Sequence, residues 1–178
     1  MLWLARFDSR PPPPNDEPVD LATLAQACAD RFRAVGPAVS AETPDDAVLI
    51  SAPPEWIDRL AGVLVDNACR YAGADGQVRI GVGIQGSRVS LTVEDSGPGI
   101  DEADRPRLFD RFHRATEHGS GAGLGLAIGD SIVRSTGGRW QVGDSPLGGA
   151  LMTVSWKHTQ PHRPSTPRFT TSVSSGGP

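Results

Sequence analysis

At 178 residues with 38% apolar content, the chain is long enough to bury one core and to carry unstructured ends besides. A net charge of -4, with its basic residues not gathered into a run, excludes a nucleic-acid partner held by general electrostatic attraction. No apolar run of roughly 18 residues occurs, nor the basic and small-residue flanks of a signal peptide, so a soluble chain making no membrane contact of its own is expected. The two cysteines, Cys28 and Cys69, sit inside apolar helical patterns without CxxC spacing, which points to buried small hydrophobes in a reducing, cytoplasmic compartment.

In chain order, MLWLARFDSR reads as the last turns of a helix, because Leu2, Trp3, Leu4 and Phe7 are too apolar for a free end. Pro11 to Pro14 stop it and form a stiff polyproline spacer. The spacing predicts a helix from about Asp20, its N-cap, through Leu21, Leu24, Ala25, Cys28 and Phe32, ending near Gly36 and Pro37. Short strands at about 38–42 and 47–51 flank the turn cluster Pro44, Asp45 and Asp46, and are expected to pair as a hairpin. From Pro54 to Tyr71, Trp56, Ile57, Leu60, Val63, Leu64, Ala68 and Tyr71 recur at three and four, predicting a long amphipathic helix. Two strands at about 78–84 and 88–94, joined through Gln85-Gly86-Ser87, aim the chain at Asp95. A short helical piece at 105–112, a glycine loop, and a helix at 124–135 follow. Strands at 139–142 and 150–156 close around Gly148-Gly149. From Thr159 onward the chain lacks apolar periodicity and is rich in Pro, Ser, Thr and Gly, as a disordered tail is. No internal repeat occurs.

The segment from Gly119 to Gly138, GSGAGLGLAIGDSIVRSTGG, carries the strongest local signal. Gly121, Gly123 and Gly125 alternate and run directly into an amphipathic helix. Glycine lets a backbone approach an anion with no Cβ in the way, and the first N–H groups of a helix lack intrahelical partners. Those groups and the positive dipole end suit a polyphosphate. Taken alone, the signal is weak, since such runs are also flexible linkers. No Lys-Ser/Thr pair follows as in a P-loop, and no strand with a downstream ribose-binding acid frames it as in a dinucleotide-binding unit.

Three further signals precede the loop: LVDNACRYA at 64–72, DSGPGI at 95–100 and LFDRFHR at 108–114. Asn67, Arg70 and Tyr71 are spaced i, i+3 and i+4, so they project from one side of the helix and can share a ligand. Asparagine is a neutral oxygen donor suited to Mg²⁺, which takes few protein ligands alongside phosphate oxygens. By themselves the three read as a solvated Asn, a surface Arg and a core Tyr. Asp95 ends an apolar strand and enters a tight turn, where a carboxylate can accept from an exocyclic amine that guanine does not present at the equivalent position.

In this order the four segments resemble the N, G1, F and G2 boxes of the catalytic, ATP-binding domain of bacterial sensor histidine kinases. That domain belongs to the superfamily shared with DNA gyrase, heat-shock chaperone ATPases and mismatch-repair ATPases. The resemblance covers about residues 38–157. It implies an α/β (α+β) two-layer sandwich of the Bergerat type, with a mixed, mostly antiparallel sheet of about five strands, three helices on one face, and ATP held between helices and lid. The implied organisation is the end of a dimerisation helix and a linker over 1–19, the catalytic domain over 20–158, and the tail over 159–178.

What the resemblance implies for residues is specific. Asn67 would hold Mg²⁺, Arg70 would contact phosphate, and Tyr71 would flank the adenine. Asp95 would select adenine, with Gly97 and Gly99 leaving room for the base. Phe109 and Phe112 would anchor the lid at its base, and Arg114 would reach the γ-phosphate, as a guanidinium can counter charge on a transferring phosphoryl group. Gly121, Gly123, Leu124 and Gly125 would hinge and floor the lid. His113 and His118 have no metal-ligand spacing and read as lid surface.

The sequence departs from the family pattern twice. The position four before Asn67 is Val63, where water-hydrolysing branches of the superfamily hold a glutamate base and many sensor kinases an asparagine. Valine can neither activate water nor bind metal. None of His113, His118, His158 and His162 lies in the phosphoacceptor context of the family, a histidine followed by an acidic residue with proline soon after. The acceptor is therefore expected on a separate dimerisation domain, the chain being either a split kinase half or an excised fragment. Leu2, Trp3, Leu4 and Phe7 are candidates for docking onto that partner. The implied activity is transfer of the γ-phosphoryl of Mg-ATP to a partner histidine, then relay to a response-regulator aspartate at the cytoplasmic side. A nucleotide-binding regulatory module without transfer and a self-sufficient ATPase are the alternatives.

Overall fold

A computed structural model describes residues 15–34, 36–110 and 124–158. Strand β1 (Glu17–Asp20) leads into helix α1 (Leu21–Phe32), followed by β2 (Ala38–Glu42), β3 (Leu49–Ala52) and helix α2 (Pro54–Ala72). Then come β4 (Gln77–Gln85), β5 (Arg88–Asp95), a single 3-10 turn (Arg105–Arg107), helix α3 (Gly125–Ser135), β6 (Arg139–Asp144) and β7 (Ala150–Lys157).

The main sheet has five strands in the order β2-β4-β5-β7-β6, antiparallel throughout except for the parallel β2–β4 pair. Period-two alternation settles which face is covered. Val78, Ile80 and Val82 of β4, Val89, Leu91 and Val93 of β5, and Met152, Val154 and Trp156 of β7 are all buried. They lie under the helices, with α1 against β2 and β4, α2 against β4 and β5, and α3 against β6. The opposite face is polar. There Arg79 of β4 pairs with Glu94 across the β4–β5 register and with Glu42 of β2 at 3.3 Å. The architecture is the expected two-layer sandwich of a mixed five-stranded sheet and three helices among the described residues.

Each helix forms for a reason legible in its sequence. Asp20 caps α1, its Oδ1 accepting from Ala22 N at 3.1 Å and its Oδ2 from the Thr23 hydroxyl at 2.6 Å. The same Oδ1 accepts from Val48 N at 2.9 Å, so the cap also ties α1 to the strand entering β3. α2 opens with Pro54 in its first turn and ends where Gly73 takes a φ of 73°. Its apolar stripe, Ile57, Leu60, Ala61, Leu64, Val65 and Ala68, is wholly buried. α3 packs against α2 along Gly125 and Gly129, one turn apart, where a Cβ would meet Val63 Cγ1 at 3.5 Å and Leu60 Cδ1 at 3.3 Å. At its other end the Trp156 indole donates to Thr136 Oγ1 at 3.0 Å.

The expected hairpin of 38–42 with 47–51 does not form. β2 pairs in parallel with β4, Val39 opposite Val78, while β3 pairs antiparallel with β1, Ile50 opposite Val19. Asp45 and Asp46 do bend the chain, but a turn does not choose partners. Joining the open edge of β4 buries Val39, and pairing with β1 buries Val19 and Ile50, so long-range burial outweighs the local pairing. The first three residues of β1, Glu17 to Val19, fall inside the stretch that the sequence reads as linker. The helical piece expected over 105–112 shrinks to the one 3-10 turn before Leu108, with residues 111 and 112 outside the described residues. Also outside them are the expected N-terminal helix end, the polyproline spacer, the loop residues up to Gly123 and the tail from 159. No helix among the described residues is long and apolar enough to cross a membrane.

Candidate nucleotide site

The site is built where the second half of α2, the start of α3 and the end of β5 converge. α2 and α3 run side by side in opposite senses, since Leu60 faces Gly129 while Val63 faces Gly125. Asn67 lies one turn, about 6 Å, beyond Val63 on the same side of α2, level with the chain that enters α3. It is half-buried and its side chain makes no hydrogen bond among the described residues. Leu124 occupies the N-cap position of α3 without a side-chain cap, and no acidic residue lies in the first turn. Among the described residues no side chain caps the first N–H groups of α3, and with the positive end of the dipole they can receive an anion.

Arg70 stands exposed one turn nearer the end of α2, its guanidinium 2.8 Å from Asp66. Such an exposed pair holds by no more than about 1 kcal/mol, so a phosphate can draw the guanidinium away. Tyr71 is half-buried, and its backbone carbonyl touches the Asp95 turn: a Cβ on Gly97 would lie 2.7 Å from Tyr71 O. The helix bearing Asn67 and the turn bearing Asp95 are in direct contact.

Asp95 is one of two buried polar side chains among the described residues, only 5% exposed. Its Oδ1 accepts from Gly97 N at 2.8 Å and from Ala150 N at 3.2 Å. Burial pushes its carboxyl above the ordinary value, and the two backbone donors pull against that. Among the described residues both of its hydrogen bonds fall on Oδ1. Gly99, at φ 79°, turns the chain so that a Cβ there would lie 3.6 Å from Gly149 O.

The structure therefore puts Tyr71 against the turn of Asp95 and Gly97, with Gly99 beside Gly149, and puts Gly125, next to Leu124, against Val63, one turn of α2 before Asn67, with Arg70 exposed further along the same helix. Arg114, Gly121 and Gly123 lie outside the described residues. No group of three His, Cys, Asp or Glu side chains able to hold a metal occurs among the described residues. A divalent cation here would rest on the Asn67 oxygen and on a ligand's phosphates, the pattern Mg²⁺ accepts. Sequence reasoning missed the β6–β7 turn, whose Ala150 N–H grips Asp95. The Gly148-Gly149 pair reads only as a turn, because a backbone donor leaves no residue-type signal.

Residues 52–160, more than half of the chain, match the family described as histidine kinase-, DNA gyrase B-, and HSP90-like ATPase. The sensor protein kinase PmrB of Pseudomonas aeruginosa is 36% identical over 137 residues, which is 75% of this chain and 29% of that protein. A probable sensor histidine kinase, HK, of Mycobacterium tuberculosis is 30% identical over 175 residues, 97% of this chain and 46% of that one. The chain spans less than half the length of either relative. The crystal structure of full-length ShkA in complex with AMPPNP is similar at a TM-score of 0.71 and 26% identity, covering 88% of this chain and 34% of that chain. Matched over more than half its length and folded on the same frame of sheet and helices, this chain belongs to the family of histidine kinase-, DNA gyrase B- and HSP90-like ATPases.

Proposed function

We propose that this chain binds Mg-ATP and passes its γ-phosphoryl group to a histidine on a partner phosphoacceptor domain, the first step of two-component signalling. The observation that carries the reading is Asp95. A carboxylate buried at the end of a strand is costly unless it serves a partner, and among the described residues this one has a single oxygen occupied, by backbone donors. The other oxygen would accept from the adenine amine, with Gly97 and Gly99 giving the base room and Tyr71 flanking it.

The remaining residues divide the polyphosphate between them. The uncapped start of α3, with Gly121, Gly123, Leu124 and Gly125, would receive phosphate oxygens on backbone N–H groups. Arg70 would add charge from the α2 side, and Arg114 would counter charge on the group in transfer. Asn67 would hold Mg²⁺, which when bound neutralises phosphate charge and orients the phosphates. Val63 puts hydrocarbon on the wall nearest the α3 start, 3.5 Å from where a Cβ of Gly125 would stand. That supports a transferase whose acceptor comes from outside over an enzyme that activates water. In the transfer, the bond from the β–γ bridging oxygen to the γ-phosphorus breaks, an imidazole nitrogen of the partner takes the phosphoryl, and ADP leaves.

Incubating the chain with γ-labelled ATP and a helical phosphoacceptor domain tests this. Acid-labile label on the acceptor, abolished by Asn67→Ala, is the expected result; ATP binding without any transfer overturns it. That second outcome is what a regulatory module that binds ATP without transfer would give, and Val63 is the feature in its favour. Steady phosphate release by the isolated chain would instead indicate a self-sufficient ATPase.

A further inference from the structure

We infer that Gly149, in the β6–β7 turn, is a positioning residue that determines nucleotide specificity by fixing the Asp95 carboxylate. The inference deepens the proposed function and rests on Asp95 being the acceptor for the adenine amine.

A carboxylate that merely ends a strand is free to turn about its side-chain bonds. Asp95 is held by N–H donors from two separate segments, Gly97 in its own turn and Ala150 at the start of β7. For Ala150 N to come within reach of Oδ1, the backbone one residue earlier must lie directly against Asp95. It does: Gly149 N donates to Asp95 O at 3.1 Å, and Gly149 O accepts from Ser145 N at 2.8 Å. Both backbone groups of Gly149 are engaged, so the residue has no room to slide away.

A side chain cannot be accommodated there. A Cβ on Gly149 would stand 2.5 Å from both Asp95 O and Gly97 N, and closer still to Asp95 Oδ1. Two of these are backbone atoms and the third belongs to a buried carboxylate, so nothing yields at low cost. The least costly relief is for the carboxylate to swing off Ala150 N and lose its aim.

The turn that presents Gly149 is itself braced. Ser145 Oγ accepts from Leu147 N at 3.0 Å, and Ser145 O accepts from Gly148 N at 2.9 Å. Next to it, Arg105 donates to Asp144 at 2.6 Å and to the Ile100 carbonyl at 3.3 Å. One guanidinium thus staples the β6–β7 turn to the end of the loop carrying Gly97 and Gly99. The chain closes a ring around Asp95, in which Gly97 and Ala150 hold the carboxylate and Gly149, bonded to the Asp95 backbone carbonyl, leaves no space beside it for a side chain.

The consequence is a selectivity effect separable from stability. With Oδ1 fixed on two donors, the carboxylate presents an acceptor in one direction, which favours the amine of adenine over the carbonyl that guanine carries at that place. The test measures ATP and GTP binding by calorimetry for the wild-type chain, Gly149→Ala, Asp95→Asn and Gly143→Ala. Gly143 serves as the control, because a Cβ there meets nothing within 4 Å. Gly149→Ala is expected to weaken ATP by about tenfold or more, the scale of one hydrogen bond lost to a charged group, while leaving GTP unchanged, so the ratio collapses. Gly143→Ala keeps wild-type values. If Gly149→Ala keeps the wild-type ratio, or weakens both nucleotides equally, while Asp95→Asn loses ATP, the assignment of Gly149 is overturned and the reading of Asp95 stands. If Asp95→Asn binds ATP as wild type does, the reading itself fails. Should Gly149→Ala not fold, amide resonances of the wild-type chain decide. Ala150 N–H shifting on addition of ATP but not GTP upholds the inference, and an unmoved Ala150 overturns it.

Discussion

The ring of Phe109 lies 4.7 Å, centroid to centroid, from the ring of Trp140, tilted by 30°. Phe109 lies one residue before the end of the described part of the segment that leads from the Asp95 loop, and Trp140 sits on β6 with its six-membered ring 3.6 Å from where a Cβ of Gly129 would stand. The aromatic pair therefore joins the chain on one side of the glycine loop to α3, the helix on the other side. Aromatic pairs of this geometry contribute about 0.5–1.5 kcal/mol beyond their area. Phe109→Ala is expected to lower unfolding stability by about 2 kcal/mol, less than for a fully buried ring. It should also weaken ATP binding. Denaturant unfolding and nucleotide titration check both, and wild-type affinity in a destabilised Phe109→Ala protein would show that the pair serves packing alone.

The seam between α2 and α3 predicts a different response. Leu60 is fully buried and its Cδ1 fills the space over Gly129. Gly129→Val would drive a branched side chain into Leu60 and Trp140 and should cost about 1–3 kcal/mol by overpacking, despite the gain in helix propensity. Leu60→Ala leaves a cavity instead and should cost about 2–5 kcal/mol. Combining Gly129→Val with Leu60→Ala should recover part of the loss, a coupling that a double-mutant cycle measures directly. Simple additivity would mean that the two sites do not share this space.

Asp20 ties three elements through one carboxylate. Burial tends to raise its pKa, but hydrogen bonds from Thr23, Val48 and Ala22 outweigh that and hold it below the ordinary value. A folded-state pKa below the unfolded one contributes stability that is present above the unfolded value, about 3.9, and is lost as pH falls through the folded value. Asp20→Ala should cost about 1–2 kcal/mol at neutral pH. The variant should also lose less stability than wild type when unfolding is followed from pH 6 down to pH 2. Parallel acid profiles for the two proteins would sink this prediction.

Asp95 behaves in the opposite sense. Its folded-state carboxyl is raised by burial, so it takes up a proton at a higher pH than an exposed aspartate. Protonation favours the empty fold as pH falls, yet a carboxyl that gains a proton becomes a poorer acceptor for the adenine amine. ATP affinity should therefore decline on acidification with a midpoint above the ordinary aspartate value of 3.8. Chain stability without nucleotide should not decline in step. Calorimetric titration with ATP from pH 7.5 downward tests this. Affinity held flat until the chain unfolds would contradict it.

Much of the candidate site was legible because its signals are local. Periodicity at three and four located α2 and α3, Asp20 before an apolar stripe located the cap of α1, and alternation located β4, β5 and β7. Asn67, Asp95 and Gly125 stand in the order and on the elements that the four motifs imply. Local signals failed where pairing is non-local. The Pro44-Asp45-Asp46 bend suggested a hairpin, yet Val39 and Ile50 are buried by different partners, β4 for one and β1 for the other. Four-residue β1 carries too little pattern to be read without β3 beside it.

The amino-acid sequence by itself determined the helices, the glycine entry into α3 and the residue types that can meet a nucleotide, because capping, periodicity and side-chain chemistry act within a few residues. Only the tertiary structure decided which strands pair, that Val63 closes one wall against Gly125, and that Gly149 and Ala150 grip Asp95 from 54 and 55 residues away. The physical reason is that the grip is made by backbone atoms. Every residue but proline carries the same N–H, so its place in space, not its identity, makes it part of the site.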